Sequence, residues 1–314
     1  MIVGQAPGLR HLGYIDLPAH VGRGGFDHAA VHGPRGLLYA AHTANDAVDV
    51  IDLRADRYIR SISGLKGVAG ALVDEGSDLV FTSNRGEDTV SILTPDGDGP
   101  EAKVGVGMRP NGLAYDPARG LLLSANVGNV DVAGSYSVSL VDVRARTIVA
   151  GAAVPGRTRW TVFDPSQGVF FVNIMDPPRI AVVDPAAGGL VARLIDVPAG
   201  GPHGLDVDPP KGRLYCACDD GTAVCLDSRS GRSLETLKLS GAPDVVFLNR
   251  ALRRLYVAIG DPGVVDVIDV SSWRRVETVE TERGAHTIAF EEGRNRVYAF
   301  LPETHRASVY EDRV

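Results

Sequence analysis

Apolar residues in this chain gather in short runs, and polar turn residues interrupt them at nearly regular intervals. The stretch "HAAVHGPRGLLYAAH" sets the pattern: an apolar run, a turn carrying Pro and Gly, and a second run rich in Leu, Tyr and Ala. Runs of this length, separated by turn signals about every 8–12 residues, predict strands and not helices. The same unit returns as "GALVDEGSDLVFTSN", "NGLAYDPARGLLLSAN", "RWTVFDPSQGVFFVNI", "HGLDVDPPKGRLYCAC", "DVVFLNRALRRLYVAI" and "HTIAFEEGRNRVYAFL". A third strand follows each copy, as in "AVDVIDL" and "SVSLVDV", and most copies have a fourth, as in "RYIRSISG" and "RRVETVETERG".

Aligning the copies places His28, Gly70, Asn111, Arg159, His203, Asp244 and His286 at one equivalent position, with spacings of 42, 41, 48, 44, 41 and 42 residues. A period near forty with four short strands is the signature of a propeller blade. The expectation is therefore an all-β, seven-bladed β-propeller of four-stranded antiparallel blades, a single domain over residues 1–314. Its blades start near residues 26, 68, 109, 157, 201, 242 and 284. The last copy ends after its third strand, and an orphan fourth-type strand, "RHLGYIDLP", opens the chain. Residues 10–17 are thus expected to complete blade 7 and close the ring, which removes exposed sheet edges.

The stretches "LVFTSNRGEDTVSIL", "LYAAHTANDAVDVID" and "LYVAIGDPGVVDVID" carry a core that resembles the YVTN-repeat seven-bladed propeller family. The resemblance runs from about residue 10 to 313 and implies the propeller fold; members of that family are often exported. It does not imply one activity, because such rings host binding, scaffolding and enzymatic roles alike.

Composition narrows the partners. The 314 residues carry a formal net charge of −7 and no run of Lys and Arg, which speaks against nucleic acid and anionic membranes. No apolar run approaches the ~18 residues of a membrane span, and the start lacks the apolar stretch of a secretory signal, so a cytoplasmic location is expected. Oligomeric state is left open. Cys216, Cys218 and Cys225 crowd one hairpin and form no disulfide framework. Cys216 and Cys225 are expected to face each other there, as two buried thiols or, less simply, a cross-strand bond.

In a propeller the innermost strands line the axis, so residues forty apart in sequence converge. His203, Asp244, His286 and His28 fall on four consecutive blades, 5, 6, 7 and 1. Three imidazoles and a carboxylate are ligand types for a divalent transition metal, with Fe, Cu, Zn, Mn and Ni not distinguished. No organic cofactor is expected, since no phosphate-cradling loop is present.

A second column at the strand ends contains His42, Asn84, Asn126 and Cys218. It is expected to set His42 across from His28 and Cys218 across from His203. His42 is then the candidate acid–base residue. Arg159, Trp160, Asn84, Asn111, Asn126 and Cys218 are candidates for positioning substrate, although Arg159 can equally neutralise Asp244. The aspartates Asp52, Asp142, Asp184, Asp227 and Asp269 read as turn formers. The longer third repeat, "NVGNVDVAGSYSV", is expected at the same mouth, as a specificity loop or a tolerated insertion.

Together these readings favour a metal-dependent enzyme acting on a small organic molecule at the channel mouth, by lyase, hydrolase or oxygenase chemistry. The alternative is a non-catalytic propeller that binds a ligand or protein, its histidines forming a structural network.

Overall fold

The computed structural model describes residues 8–313. Seven four-stranded antiparallel sheets follow one another along the chain. Blade 5 shows the unit: Pro202–Asp208 innermost, then Arg213–Cys218, Thr222–Asp227 and Ser233–Lys238 outward. Ring closure is as expected: the N-terminal strand Gly8–Asp16 pairs with Arg306–Arg313 and forms the outer strand of the last blade.

Sequence alternation explains the packing. Each blade buries both faces, so the apolar residues collect in seven clusters, one between each pair of neighbouring blades. The cluster at the closing seam joins Ile15 and Leu17 to Leu38 and Ile51 of blade 1 and to Tyr298 and Phe300 of blade 7. Burial at about 25 cal/mol per Å² of apolar surface makes these interfaces the main term holding the ring. The third-strand aspartates form turns: Asp52, Asp142, Asp184, Asp227 and Asp269 each accept a backbone N–H two or three residues on.

Near the axis the inner strands of blades 2 to 6 share a break in register where they begin. In blade 5 Pro202 pairs with Cys218 and Gly204 with Ala217, so His203 is the extra residue. A bulge of this kind re-aims a side chain that regular pairing would hold in the sheet. Beside it the strands approach closely. A Cβ on Gly70, Gly112 or Gly204 would come within 3.0 Å of the next blade's carbonyl oxygen, that of Asn111, Arg159 or Asp244. Blade 4 carries Trp160 at this otherwise small position, and its ring turns to the axis to meet His28.

Three local expectations need correction. In blade 2 the bulge falls between Val68 and Gly70, so Ala69, not Gly70, is the counterpart of His203. In the cysteine hairpin Cys216 pairs with Val224 and Cys225 with Tyr215, so the two thiols do not face each other, and all three cysteines are free. Cys218 pairs with Pro202 and is fully buried, not across from His203. Among the described residues no helix is long and apolar enough to cross a membrane.

Candidate functional site at the channel mouth

The inner-strand starts form a ring of side chains: His28, Ala69, Asn111, Arg159, His203, Asp244 and His286. Four of them, His28, His203, Asp244 and His286, were expected to converge; ion pairs link His203, Asp244 and His286, while His28 pairs with Asp27 and packs on Trp160. His203 lies between two carboxylates, with Nδ1 2.7 Å from Asp219 Oδ1 and Nε2 3.0 Å from Asp244 Oδ1. The second oxygen of Asp244 is 3.9 Å from His286 Nε2. On the far side of Asp219, Oδ2 accepts a hydrogen bond from Arg159 at 3.3 Å. Arg159 therefore pairs with Asp219 and leaves Asp244 to the histidines.

A second chain of the same composition begins in blade 2. Arg85 donates to Asp27 Oδ2 at 3.3 Å, and Asp27 Oδ1 lies 3.4 Å from His28 Nε2. His28 is 5% exposed and packs on Trp160 with ring centroids 4.0 Å apart.

These settings decide the charges. Burial opposes a proton on His203, but Asp244 and Asp219 outweigh it and raise the group to about 9. At neutral pH His203 is an imidazolium. Burial also works to raise Asp244, yet His203, then His286 and His28, hold it well below the usual carboxylate range. For His28 burial dominates, only partly offset by Asp27 and Asp244, and lowers it, so it stays neutral. His286 Nδ1 is 2.7 Å from the Gly284 carbonyl, which can only accept, so Nδ1 carries the hydrogen. In neutral His286 the lone pair is then on Nε2, on the Asp244 side, in a side chain 36% exposed.

The metal expectation meets a specific geometry. Both nitrogens of His203 are engaged by carboxylates. Among the described residues no three or more His, Cys, Asp or Glu side chains are arranged as a set that could hold a metal ion.

His42, expected as an acid–base residue facing His28, is placed elsewhere. The backbone sets Ala41 against His28, and the one-residue offset turns His42 into the blade. It is fully buried, with Nδ1 2.7 Å from Asp49 and Nε2 2.7 Å from His20. Asn84 and Asn126 occupy the same position in blades 2 and 3 and are fully buried too. Asn84 donates to Thr89 and Ser91; Asn126 donates to Ser137 and Ser139. His42 with Asp49 is blade 1's version of that strut between second and third strands. Asn111 does reach the ring, 8% exposed. Cys218 sits 3.8 Å from Cys216, and that contact, then burial, pushes its thiol up, so it stays protonated.

Sequence reasoning missed Asp27, Asp219 and Arg85. Each sits next to the ring column or just past a second strand, where an acid or Arg reads as an ordinary turn residue. Their signal is positional: Arg85, Met175 and Asp219 each follow a second strand and donate a backbone N–H to the residue two before the ring column.

Trp160 separates this mouth from the rest of the channel. Beyond it a cavity of about 910 Å³ runs to the turns on the other face. His28, Trp160, Val73, Tyr115, Phe163 and Phe290 help line it, whereas His203, Asp244 and His286 do not.

Fold and site together define a seven-bladed β-propeller with a charged belt around one mouth of its channel. No protein-family model matches the chain, and no curated protein matches it in sequence. It is similar to a solved chain of Kuenenia stuttgartiensis hydrazine synthase, with a TM-score of 0.83 and 13% identity, over 94% of this chain and 98% of that one. At that identity the likeness shows the fold alone, and 1808 solved chains match, so shape does not select an activity.

Proposed function

We propose that the protein is an enzyme that acts on a small organic molecule at the channel mouth, where His286 is the base and the His203 imidazolium the fixed positive charge. The observation that carries this reading is the Asp219–His203–Asp244 sandwich beside the half-exposed His286. Two carboxylates hold His203 charged and oriented and take both its N–H groups, so it would act on a substrate through its charge and not as a direct donor. His286 Nε2 is free to take a proton from a group held above Asp244. Trp160 and His28 form the floor. Lyase and hydrolase chemistry both fit such a pair. The reading includes the YVTN type of the repeats, a cytoplasmic location, and no nucleic-acid or membrane partner.

A second form of this proposal keeps the divalent transition metal. A dication would replace the proton that His203 shares with Asp244, held by His203, Asp244 and His286, with His28 as a fourth ligand if its side chain turns from Asp27. It would supply Lewis-acid or water-activating chemistry.

One experiment separates the forms. Untagged protein is analysed for metal, then assayed on a panel of small lactones, esters and hydroxy acids, alone and with added Fe, Cu, Zn, Mn or Ni. Turnover without metal that falls about 100-fold or more in His286→Ala supports the acid–base form. One equivalent of metal, lost in His203→Ala and His286→Ala, supports the metal form. No turnover under any condition would leave a non-catalytic binding propeller and refute both.

A further inference from the structure

We propose that this mouth binds the anionic group, carboxylate or phosphate, of a small organic acid between Arg85, Arg109, Arg157 and Arg159. The inference rests on the small-molecule reading of the mouth and names what that molecule carries.

The arginines come from blades 2, 3 and 4, the half of the ring opposite the histidines. Arg159 stands in the ring column, Arg109 and Arg157 stand two residues before it, and Arg85 follows the second strand of blade 2. Three repeat positions therefore deliver the same side-chain type to one sector, in a chain whose net charge is −7. Like charges gathered this way repel unless a counter-charge sits among them.

The protein supplies only part of that counter-charge. Arg85 and Arg159 each reach one carboxylate, through Nη2 at 3.3 Å, and the acids they meet already serve His28 and His203. Their Nε atoms are buried without a hydrogen-bond partner, as is Asn111 Oδ1, which stands in the column between Ala69 and Arg159. Buried polar atoms normally find partners, so three orphans in one sector mark a place for a ligand. Arg109 and Arg157, exposed on the rim, have no ion pair among the described residues. Partial desolvation, then the nearby guanidiniums of Arg159, Arg109 and Arg85, pull Arg157 below its ordinary range, so the four are electrostatic neighbours.

Guanidiniums grip carboxylate and phosphate through paired N–H donors. Asn111 Oδ1 adds an acceptor for a hydroxyl or N–H on the same molecule. The loop of the longer third repeat borders the site, since Arg109 reaches the Gly128 carbonyl at 3.5 Å. An acid held here places its remaining atoms toward His203 and His286.

The test is calorimetric titration of the full chain with malonate and, separately, inorganic phosphate, at ionic strength matched with chloride. The expected result is saturable one-to-one binding of at least one probe, weakened about tenfold or more in the Arg109→Gln, Arg157→Gln double variant. Both residues are exposed, and an unchanged melting temperature checks the fold. Arg157→Lys, which keeps charge but loses the paired donors, is expected to fall between. The probe that binds names the group. His286→Ala should leave probe affinity within about twofold while removing turnover, so the two proposals fail separately. No saturable binding of either probe, or equal binding by the double variant, would overturn the inference even if turnover is found.

Discussion

Two chains of identical composition, Arg85–Asp27–His28 and Arg159–Asp219–His203, sit on the same ring and end in opposite charge states. His28 faces one carboxylate at 3.4 Å under the Trp160 ring, and burial keeps it neutral. His203 has a carboxylate on each nitrogen, at 2.7 and 3.0 Å, and holds its proton to about pH 9. The difference lies in blade 6, which presents Asp244 to His203. An imidazole's role in this ring is set by the neighbouring blade more than by its own.

Asp244→Asn breaks the comparison most severely. It leaves His203 with one acidic partner and removes the counter-charge of a desolvated pair. Urea unfolding at pH 7 should show a loss of about 3 kcal/mol, and the titration of His203 should move down toward 6.5. A stability change under about 0.5 kcal/mol would mean that Asp244 and His203 do not interact in solution.

Raising the pH tests the same pair without mutation. The folded group at about 9 lies above its ordinary value of 6.5, so its stabilisation is complete below pH 6.5 and is lost as pH rises through 9. Wild-type stability should drop by about 3 kcal/mol between pH 6.5 and 9.5, a drop that His203→Asn should not share. Below pH 4 the sign reverses for Asp244, whose lowered value means stability is lost as acid protonates it.

His28→Ala removes a neutral, buried ring stacked on Trp160, and a cost of about 2 kcal/mol, little changed between pH 6.5 and 9.5, is expected in thermal unfolding. At the small end, His286→Gln alters a half-exposed side chain, and stability should stay within about 0.5 kcal/mol. A large loss there would assign His286 to the scaffold and remove it as a base.

The fold was legible because repetition is legible: seven copies with turns at matching offsets leave few architectures that bury both sheet faces. The ring column was legible in part: the repeat places His203, Asp244 and His286 side by side, while His42, Asn84, Asn126 and Cys218 are buried in the blades. Asp244 lies against His203 and His286, since the repeat brings neighbouring blades' columns together, whereas His28 turns to Asp27 and Trp160. Ala69 replaced Gly70, and His42 turned inward, because a bulge and a single-residue offset each reverse a strand's facing and neither leaves a mark in the apolar pattern. Asp219 and Asp27 were invisible for another reason. Their neighbours in space, Arg159 with His203 and Arg85 with His28, span blade boundaries.

The most direct test of the central claim, a charged His203 clamped by two acids at the mouth, is an NMR titration of its imidazole in the full chain, assigned with His203→Asn. The imidazolium should persist through pH 8 and deprotonate near 9. Deprotonation at or below pH 6.5 would contradict it.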